Sequence, residues 1–451
     1  MRIPQRPPDP DKLMSGARAE DLVRVLSGRA LDGKRRYLHW DDMRNRQPPD
    51  GMSREMWWLS TAMARSGIAQ ALPLLDIDGR PFQFVNVDVV HELVHKIDQQ
   101  GSGQILADEV VTDLRSSDRY LVSSLIEEAI TSSQLEGAST TRRVAKEMLS
   151  SGRPPRDRDE RMISNNFQAM THAQAMASRP LTPDDVVDLH RIVTDGTLDD
   201  PGESGRLQTP DDQRISVVAT DGTPLHEPPP AEQLPARLDA MCRFANGEWT
   251  GDGFIHPVVR AVILHFWLAY DHPFADGNGR TARALFYWSM LRDGYWLTQY
   301  LSVSSILRKA PAQYARSYLL TESDGNDVTY FVIYQLKVIN RSIEGLYDYL
   351  ARKVSETKEI ERLLHGAPEL NHRQLAVVSK ALRDPTENFT IAAHMHLHGI
   401  VYQSARTDLL RLDDLGLFTK AKVGKTFVFR AETDLAERLR RLGNRAAKTD
   451  M

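Results

Sequence analysis

Apolar residues recur at helical spacing through most of the chain. Met56, Trp57, Leu59 and Met63 give that spacing between residues 53 and 71, and stretches 87–97 and 120–135 repeat it. The front third therefore predicts helices, with regular structure starting near Tyr37 after a proline- and charge-rich lead that holds one short helical pattern. Two further helices are expected over 165–176 and 186–193, the second opened by Thr182 as N-cap and Pro183 at its first position. Between Pro201 and Pro230 glycine and proline punctuate a β-like run, Ile215 to Ala219, followed by Asp221-Gly222, so a hairpin flap is expected over Arg214 to His226. The most apolar helices, 257–270 and 281–291, flank a glycine-containing turn, and 330–350 is another long helix, which puts the core there.

After Gly366-Ala367-Pro368 the pattern resets. Helices over 373–382, 391–398 and 404–415, then Leu417-Phe418, Gly424 and Phe427-Val428-Phe429, spell a winged helix-turn-helix. The expected fold is thus mostly α: a helical core with a β-hairpin flap and a small C-terminal winged helix-turn-helix domain. The expected division is 1–117, an N-terminal helical region; 118–160; 161–365, the core; and 366–451, the winged helix.

Composition narrows the function classes. With 451 residues, 41% hydrophobic and 26% charged, the chain is long enough for several domains and is neither disordered nor fibrous. Its net charge of -4 gives it no overall affinity for nucleic acid or acidic membranes, so any such contact must be local. The tail from 371 onward is the local exception, with 14 basic against 9 acidic residues. One cysteine, Cys242, excludes an internal disulfide and favours a reducing, cytoplasmic setting. The N-terminus lacks an apolar signal core, and the most apolar stretch is short and interrupted by Arg260 and His265, so neither secretion nor a membrane partner is expected.

The chemistry is concentrated between the two apolar helices, in His272-Pro273-Phe274-Ala275-Asp276-Gly277-Asn278-Gly279-Arg280-Thr281-Ala282-Arg283. Gly277 and Gly279 allow positive φ and close backbone approach, so consecutive N–H groups can form an anion nest at a helix N-terminus. Arg280 and Arg283, three apart, share a face and can fork onto further phosphates, which suits a triphosphate. Asp276 offers a hard oxygen to Mg²⁺, and His272 can take a proton from an attacking hydroxyl. Phe274 is expected to turn away and anchor the loop in the core.

The segment resembles the Fic family of nucleotidyltransferases, whose signature HPFx(D/E)GNGRxxR it matches at every fixed position, with similarity over roughly residues 120–320. The resemblance implies that His272 is the general base, Asp276 the metal ligand, and Gly277, Asn278 and Gly279 the phosphate cradle, with Arg280 and Arg283 on the outer phosphates. It implies ATP as substrate with Mg²⁺, and AMP transfer to a Tyr, Thr or Ser hydroxyl of a target protein. Gly279 stands where a phosphorylating branch of the family has lysine. Asp271 stands where an apolar residue is commoner; beside His272 it would favour the imidazolium.

The family often carries an inhibitory helix with the pattern (S/T)xxxE(G/N). Ser132-Ser133-Gln134-Leu135-Glu136-Gly137 satisfies it, making 118–160 the inhibitory segment, with Ser132 and Glu136 its marked residues. Glu136 is expected to pair bidentately with Arg283, taking the donor fork that a γ-phosphate needs.

Other features are weighed against these. His91-Glu92-Leu93-Val94-His95 spells a zinc-protease motif, yet Val90, Leu93, Val94 and Ile97 make an ordinary buried stripe and no further metzincin residues follow. His394, His396 and His398 scatter around a helix, and Tyr314 could wall an adenine pocket or be core. The tail's basic wing (Lys420, Lys422, Lys425, Arg430) suits phosphate, whereas Asp408, Asp413 and Asp414 on the expected recognition helix argue against DNA, leaving DNA contact, protein recruitment and homodimer packing open. The alternatives to adenylyl transfer are transfer of another phosphate-containing group, AMP removal, and a DNA-binding regulator whose core only senses nucleotide.

Overall fold

Helical structure begins well before Tyr37. Asp9 caps α1 (Pro10–Gly16) by accepting from the Asp11 N–H, with Pro10 at the first position where its missing donor costs nothing, and α2 (Ala19–Leu26) follows. The computed structural model describes residues 3–49, 51–101, 114–214, 216–218, 224–249, 251, 253–365, 370–424 and 426–449. They divide into two compact units, Met1–Leu346 and Tyr347–Met451.

In the first unit, α3 (Trp40–Met43) and α4 (Arg54–Ser66) lead into a feature that the helical expectation missed, an antiparallel hairpin of β1 (Ala69–Leu75) and β2 (Pro81–Val85). Leu72, Leu74, Phe82 and Phe84 alternate into the core, and Asp78-Gly79, with Gly79 at φ +78°, makes the turn. Val85 lies among the same buried residues, and α5 (Asp88–Gly101) follows.

Next come α6 (Leu114–Leu135), α7 (Arg142–Ser151), α8 (Arg158–Ala175) and α9 (Pro183–Thr194). A capping box fixes the start of α9: the Thr182 side chain accepts from the Asp185 N–H while Asp185 accepts from the Thr182 N–H. The flap is a short antiparallel pair, β3 (Val217–Val218) with β4 (Pro224–His226). Ile215, Ala219 and the Asp221-Gly222 turn of the expected hairpin lie outside the described residues.

After α10 (Leu234–Ala245), the central helices α11 (Pro257–Asp271) and α12 (Asn278–Arg292) pack together and are buried on nearly every side, as helices without a polar face must be. Trp267, Phe274, Leu285, Trp288 and Phe331 are among the core residues around them. Then follow α13 (Val303–Leu307), α14 (Pro311–Ser323) and α15 (Thr329–His365), which runs past the expected end near Leu350 through a Glu-, Lys- and Arg-rich stretch of good helix formers.

The second unit holds α16 (His372–Arg383), β5 (Asn388–Thr390), α17 (Ile391–His398), α18 (Tyr402–Asp414), β6 (Phe418–Val423), β7 (Thr426–Ala431) and α19 (Leu435–Thr449). The sheet order is β5-β7-β6, all antiparallel, over a core that includes Phe389, Leu409, Leu412, Phe418 and Phe429. Asp408, counted with Asp413 and Asp414 against DNA contact, has a structural role instead. It is buried, accepting from Asn371 (2.8 Å), Arg373 (2.7 Å) and His394 (3.2 Å). Residues 366–369 and Lys425 lie outside the described set. Among the described residues no helix is long and apolar enough to cross a membrane.

Candidate active site

Helix α11 ends on a residue that breaks the usual rule for its conformation. His272 adopts φ +46°, ψ +53°, a left-handed geometry that costs a side-chain-bearing residue about 1 kcal/mol and turns the chain sharply into the loop. Asn278 closes that loop from the far side: its Nδ2 donates to the Phe274 carbonyl (2.8 Å) and its Oδ1 accepts from the Phe274 N–H (3.0 Å). The Asn278 side chain is therefore engaged with the loop itself, leaving its backbone to any cradle.

Phe274 is fully buried and stacks on His190, with centroids 3.7 Å apart and planes 3° from parallel. His190 Nδ1 accepts from the Gly205 N–H (3.0 Å), so Nε2 carries the proton and donates to the Asp276 carbonyl (2.8 Å). Burial agrees with that neutral tautomer, holding His190 down at about 4.

The two glycines serve different ends. Gly277 needs its positive φ of +82° and its bareness, since a Cβ would stand 2.7 Å from Thr194 Cγ2. Gly279 lies inside α12 and needs no positive φ, contrary to the sequence reading; it needs space, because a Cβ there would collide with Glu136 Oε1.

Arg280 is fully buried. Its Nη1 donates to the Val193 carbonyl (3.2 Å), its Nη2 stands 3.5 Å from Asp276 Oδ2, and Nε and Nη2 have no hydrogen-bond partner. An incompletely satisfied guanidinium at a helix N-terminus is a ready anion site. Asp276, about half exposed, accepts from the Gly277 N–H through Oδ1 (2.6 Å).

Arg283 is engaged through Nε and Nη2. Nε donates to Ser132 Oγ (2.8 Å), and Nη2 donates to the Ser132 carbonyl (3.1 Å) and to Glu136 Oε1 (2.7 Å). The expected bidentate fork with Glu136 is thus a single contact, because Ser132 occupies Nε. Burial works against the charge on Arg283, and Glu136, with Tyr314 and Glu128, more than restores it.

A cavity of about 240 Å³ joins these groups, lined by Glu136, His226, His272, Gly279, Arg283 and Tyr314, with Tyr318 and Glu322 beyond. Tyr314 OH bonds His265 Nε2 (2.8 Å) and Tyr318 OH (3.0 Å). Burial, reinforced by the His226 and Arg214 charges, holds His272 down at about 4. Asp271 does not act on it as the sequence suggested, since its carboxylate is turned to Arg237 (2.6 Å) and Trp267 Nε1 (3.0 Å).

Residues 180–290, which include this loop and both central helices' facing ends, match the family described as Fic/DOC. This segment is similar to a Fic domain. Curated relatives include the protein adenylyltransferase Fic of Nematostella vectensis, 33% identical over 121 residues (26% of this chain, 25% of that one). Protein adenylyltransferase fic-1 of Caenorhabditis elegans is 38% identical over 112 residues (25% and 20%). The chain thus spans about a quarter of the length of the curated relatives it matches. A crystal structure of a Fic family protein from Desulfovibrio desulfuricans G20 shares the fold, with a TM-score of 0.50 at 19% identity over 77% of this chain and 97% of that one.

The loop also depends on residues that sequence reasoning passed over. Gln208 donates its N–H to the Pro273 carbonyl (2.9 Å), Arg214 reaches the carbonyls of Asp271 (2.7 Å) and His272 (3.0 Å), and His226 bonds Glu322 and the Tyr270 carbonyl. These partners lie tens of residues apart, and no local pattern announces them. Away from this site, His91 and His95 of α5 border a separate pocket with Asp98 and His256. Among the described residues no group of three or more His, Cys, Asp or Glu could hold a metal ion.

Proposed function

We propose that the chain is a protein adenylyltransferase moving AMP from ATP to a Tyr, Thr or Ser hydroxyl of a target protein, and that Glu136 inhibits it. The observation that carries this reading is the carboxylate of Glu136 on Arg283, beside the under-satisfied Arg280: an anion already occupies part of a cationic site that opens onto a half-buried histidine whose protonation is disfavoured. The relatives named protein adenylyltransferases support the same chemistry.

In this mechanism the target hydroxyl gives its proton to His272 as its oxygen bonds the α-phosphorus, the bond from that phosphorus to the bridging oxygen breaks, and pyrophosphate leaves. A neutral imidazole is the competent form. Backbone N–H groups at the start of α12 and the Arg280 guanidinium face the phosphates, and Arg283 holds the outermost one once Glu136 swings away.

Magnesium fits the donor set. Asp276 is a half-exposed carboxylate whose Oδ2 makes only a long contact with Arg280, and a phosphate-bound Mg²⁺ takes one or two carboxylates and keeps its waters. When bound, the ion neutralises phosphate charge; Asp276 would be its protein ligand.

Residues 118–160 form the inhibitory segment and 161–365 the catalytic core in this reading. The 366–451 domain is a winged helix that recruits a partner, supported by helices α16, α17 and α18 and the β5-β7-β6 sheet. The test is to incubate a Glu136→Gly chain with α-labelled and γ-labelled ATP and a lysate. Adenylylation predicts α-label on protein, lost in Glu136→Gly/His272→Ala; γ-label alone would replace adenylylation by phosphorylation, and neither label on any protein would defeat the transferase reading.

A further inference from the structure

His226, the last residue of β4, is buried with an acceptor at each ring nitrogen. Nδ1 stands 2.8 Å from Glu322 Oε2 on α14, and Nε2 stands 2.7 Å from the Tyr270 carbonyl on α11. A carboxylate and a backbone carbonyl only accept, so both contacts are satisfied together only when both nitrogens carry hydrogen, as in an imidazolium. Arg214, at the other foot of the flap, sends Nη2 to the Asp271 carbonyl (2.7 Å), Nη1 to the His272 carbonyl (3.0 Å) and Nε to the Pro229 carbonyl (2.9 Å). The final carbonyls of a helix lack intrahelical partners and carry its negative dipole end. Three consecutive ones at the end of α11 are thus capped by two cations from the flap, and the third belongs to His272.

We propose that His226 is a positioning residue of the transfer reaction: clamped as a cation between Glu322 and the Tyr270 carbonyl, it fastens the flap to the end of α11 and keeps the adjacent His272 neutral. The inference rests on the adenylyl-transfer reading for the reaction, while its electrostatic half concerns the protein alone. His226 and His272 line one cavity and are pushed in opposite directions. Burial opposes the charge on His226, but the hydrogen bond and charge of Glu322, helped by Tyr270 and Asp271, raise it above its ordinary value. His272 faces His226 and Arg214, which disfavour its protonation beyond the effect of burial, and Glu136 and the Ala269 backbone, which favour it. Neighbouring groups driven apart in this way divide a charged role from a proton-accepting one.

The test uses the full chain with ¹³C-labelled histidine, titrated by NMR without nucleotide, the His272 signal being identified by its loss in His272→Ala. His226→Gln keeps an amide donor for the Tyr270 carbonyl but removes the cation, and the proton affinity of His272 should rise about tenfold. Glu322→Gln removes the carboxylate that demands the second ring proton, and should produce a smaller rise because both charges of the pair vanish. Should His226→Gln fold poorly, Glu322→Gln carries the test. An unchanged His272 titration in the folded variants, or a His226 that is neutral at pH 7 in the parent, overturns the proposal. In a Glu136→Gly background the acid limb of α-label transfer should move upward with the NMR value in both variants, and the target-protein KM should rise in His226→Gln. Absence of α-label transfer in the parent Glu136→Gly chain would count against the transferase reading, while the titration would still decide the electrostatic coupling.

Discussion

The carboxylate of Glu136 rests against the bare Cα of Gly279, so closely that a Cβ there would collide with Oε1. The glycine that leaves the start of α12 open to a phosphate therefore also admits the group that competes with it.

Gly279→Ala should break the Glu136–Arg283 contact without making the site more receptive, since the methyl occupies the space it clears. Glu136→Gly, by contrast, frees Arg283 and should tighten ATP binding about tenfold, the worth of one charged hydrogen bond. Calorimetric titration with ATP should rank Glu136→Gly above the parent and Gly279→Ala no higher than the parent.

Ser132→Ala should destabilise the protein even though Ser132 takes no part in the chemistry. It removes the acceptor for the buried Arg283 Nε and leaves that donor stranded, at a cost of about 1–3 kcal/mol. The urea midpoint reads this directly; an unshifted midpoint would mean that another acceptor replaces Ser132.

Much of this site was legible beforehand. The residues from His272 to Arg283 are contiguous, and the (S/T)xxxE(G/N) string identified Glu136 and Ser132, which the structure brings to Arg283. The single contact in place of a fork was not legible, because it depends on Ser132 filling Nε from another helix. In the fold, Thr182 and Asp185 announced α9 through local capping chemistry, whereas β1 and β2 were overlooked although Asp78-Gly79 stood between alternating apolar positions. The hairpin joins the rest through long-range pairing, with the Gln83 N–H on the Asn326 carbonyl (2.9 Å). His226, Glu322 and Arg214 acquire meaning only when distant segments meet.

Acid should unfold the protein through histidines whose protonation the fold disfavours. Burial holds His39 and His265 at about 3 and His190 and His272 at about 4, all below the ordinary 6.5. The unfolded chain takes up these protons below 6.5 and the native state does not, so this contribution to stability is lost as pH falls from 6.5 towards 4. Asp324, pushed up to about 7 by burial and the neighbouring Asp327, acts oppositely, as do the raised Asp327, Asp271, Glu128 and His226, and these offset part of the histidines' contribution. The urea midpoint at pH 5 should lie below that at pH 7; equal midpoints would indicate that the histidines become hydrated before global unfolding.

Arg237→Ala should be among the costliest single substitutions near the loop. Arg237 and Asp271 form a buried ion pair at 2.6 Å, and removing the arginine strands a carboxylate next to His272, at roughly 3–5 kcal/mol. Adding Asp271→Asn should recover part of the loss in a denaturation experiment. No recovery would show that Arg237 acts through packing and its bond to the Leu75 carbonyl.

Helix α6 is fastened well ahead of Glu136. Glu128 accepts from the Ser304 N–H (3.0 Å) and from the Ser302 and Ser304 hydroxyls, Ser133 donates to the Met162 carbonyl (3.2 Å), and Asn166 donates to the Ala129 carbonyl (3.3 Å). Glu136 thus meets Arg283 at an effective concentration set by covalent geometry, not by the amount of protein present. Dilution leaves the proportion of closed sites unchanged, and a competing phosphate must overcome a tethered rival whose local concentration never falls.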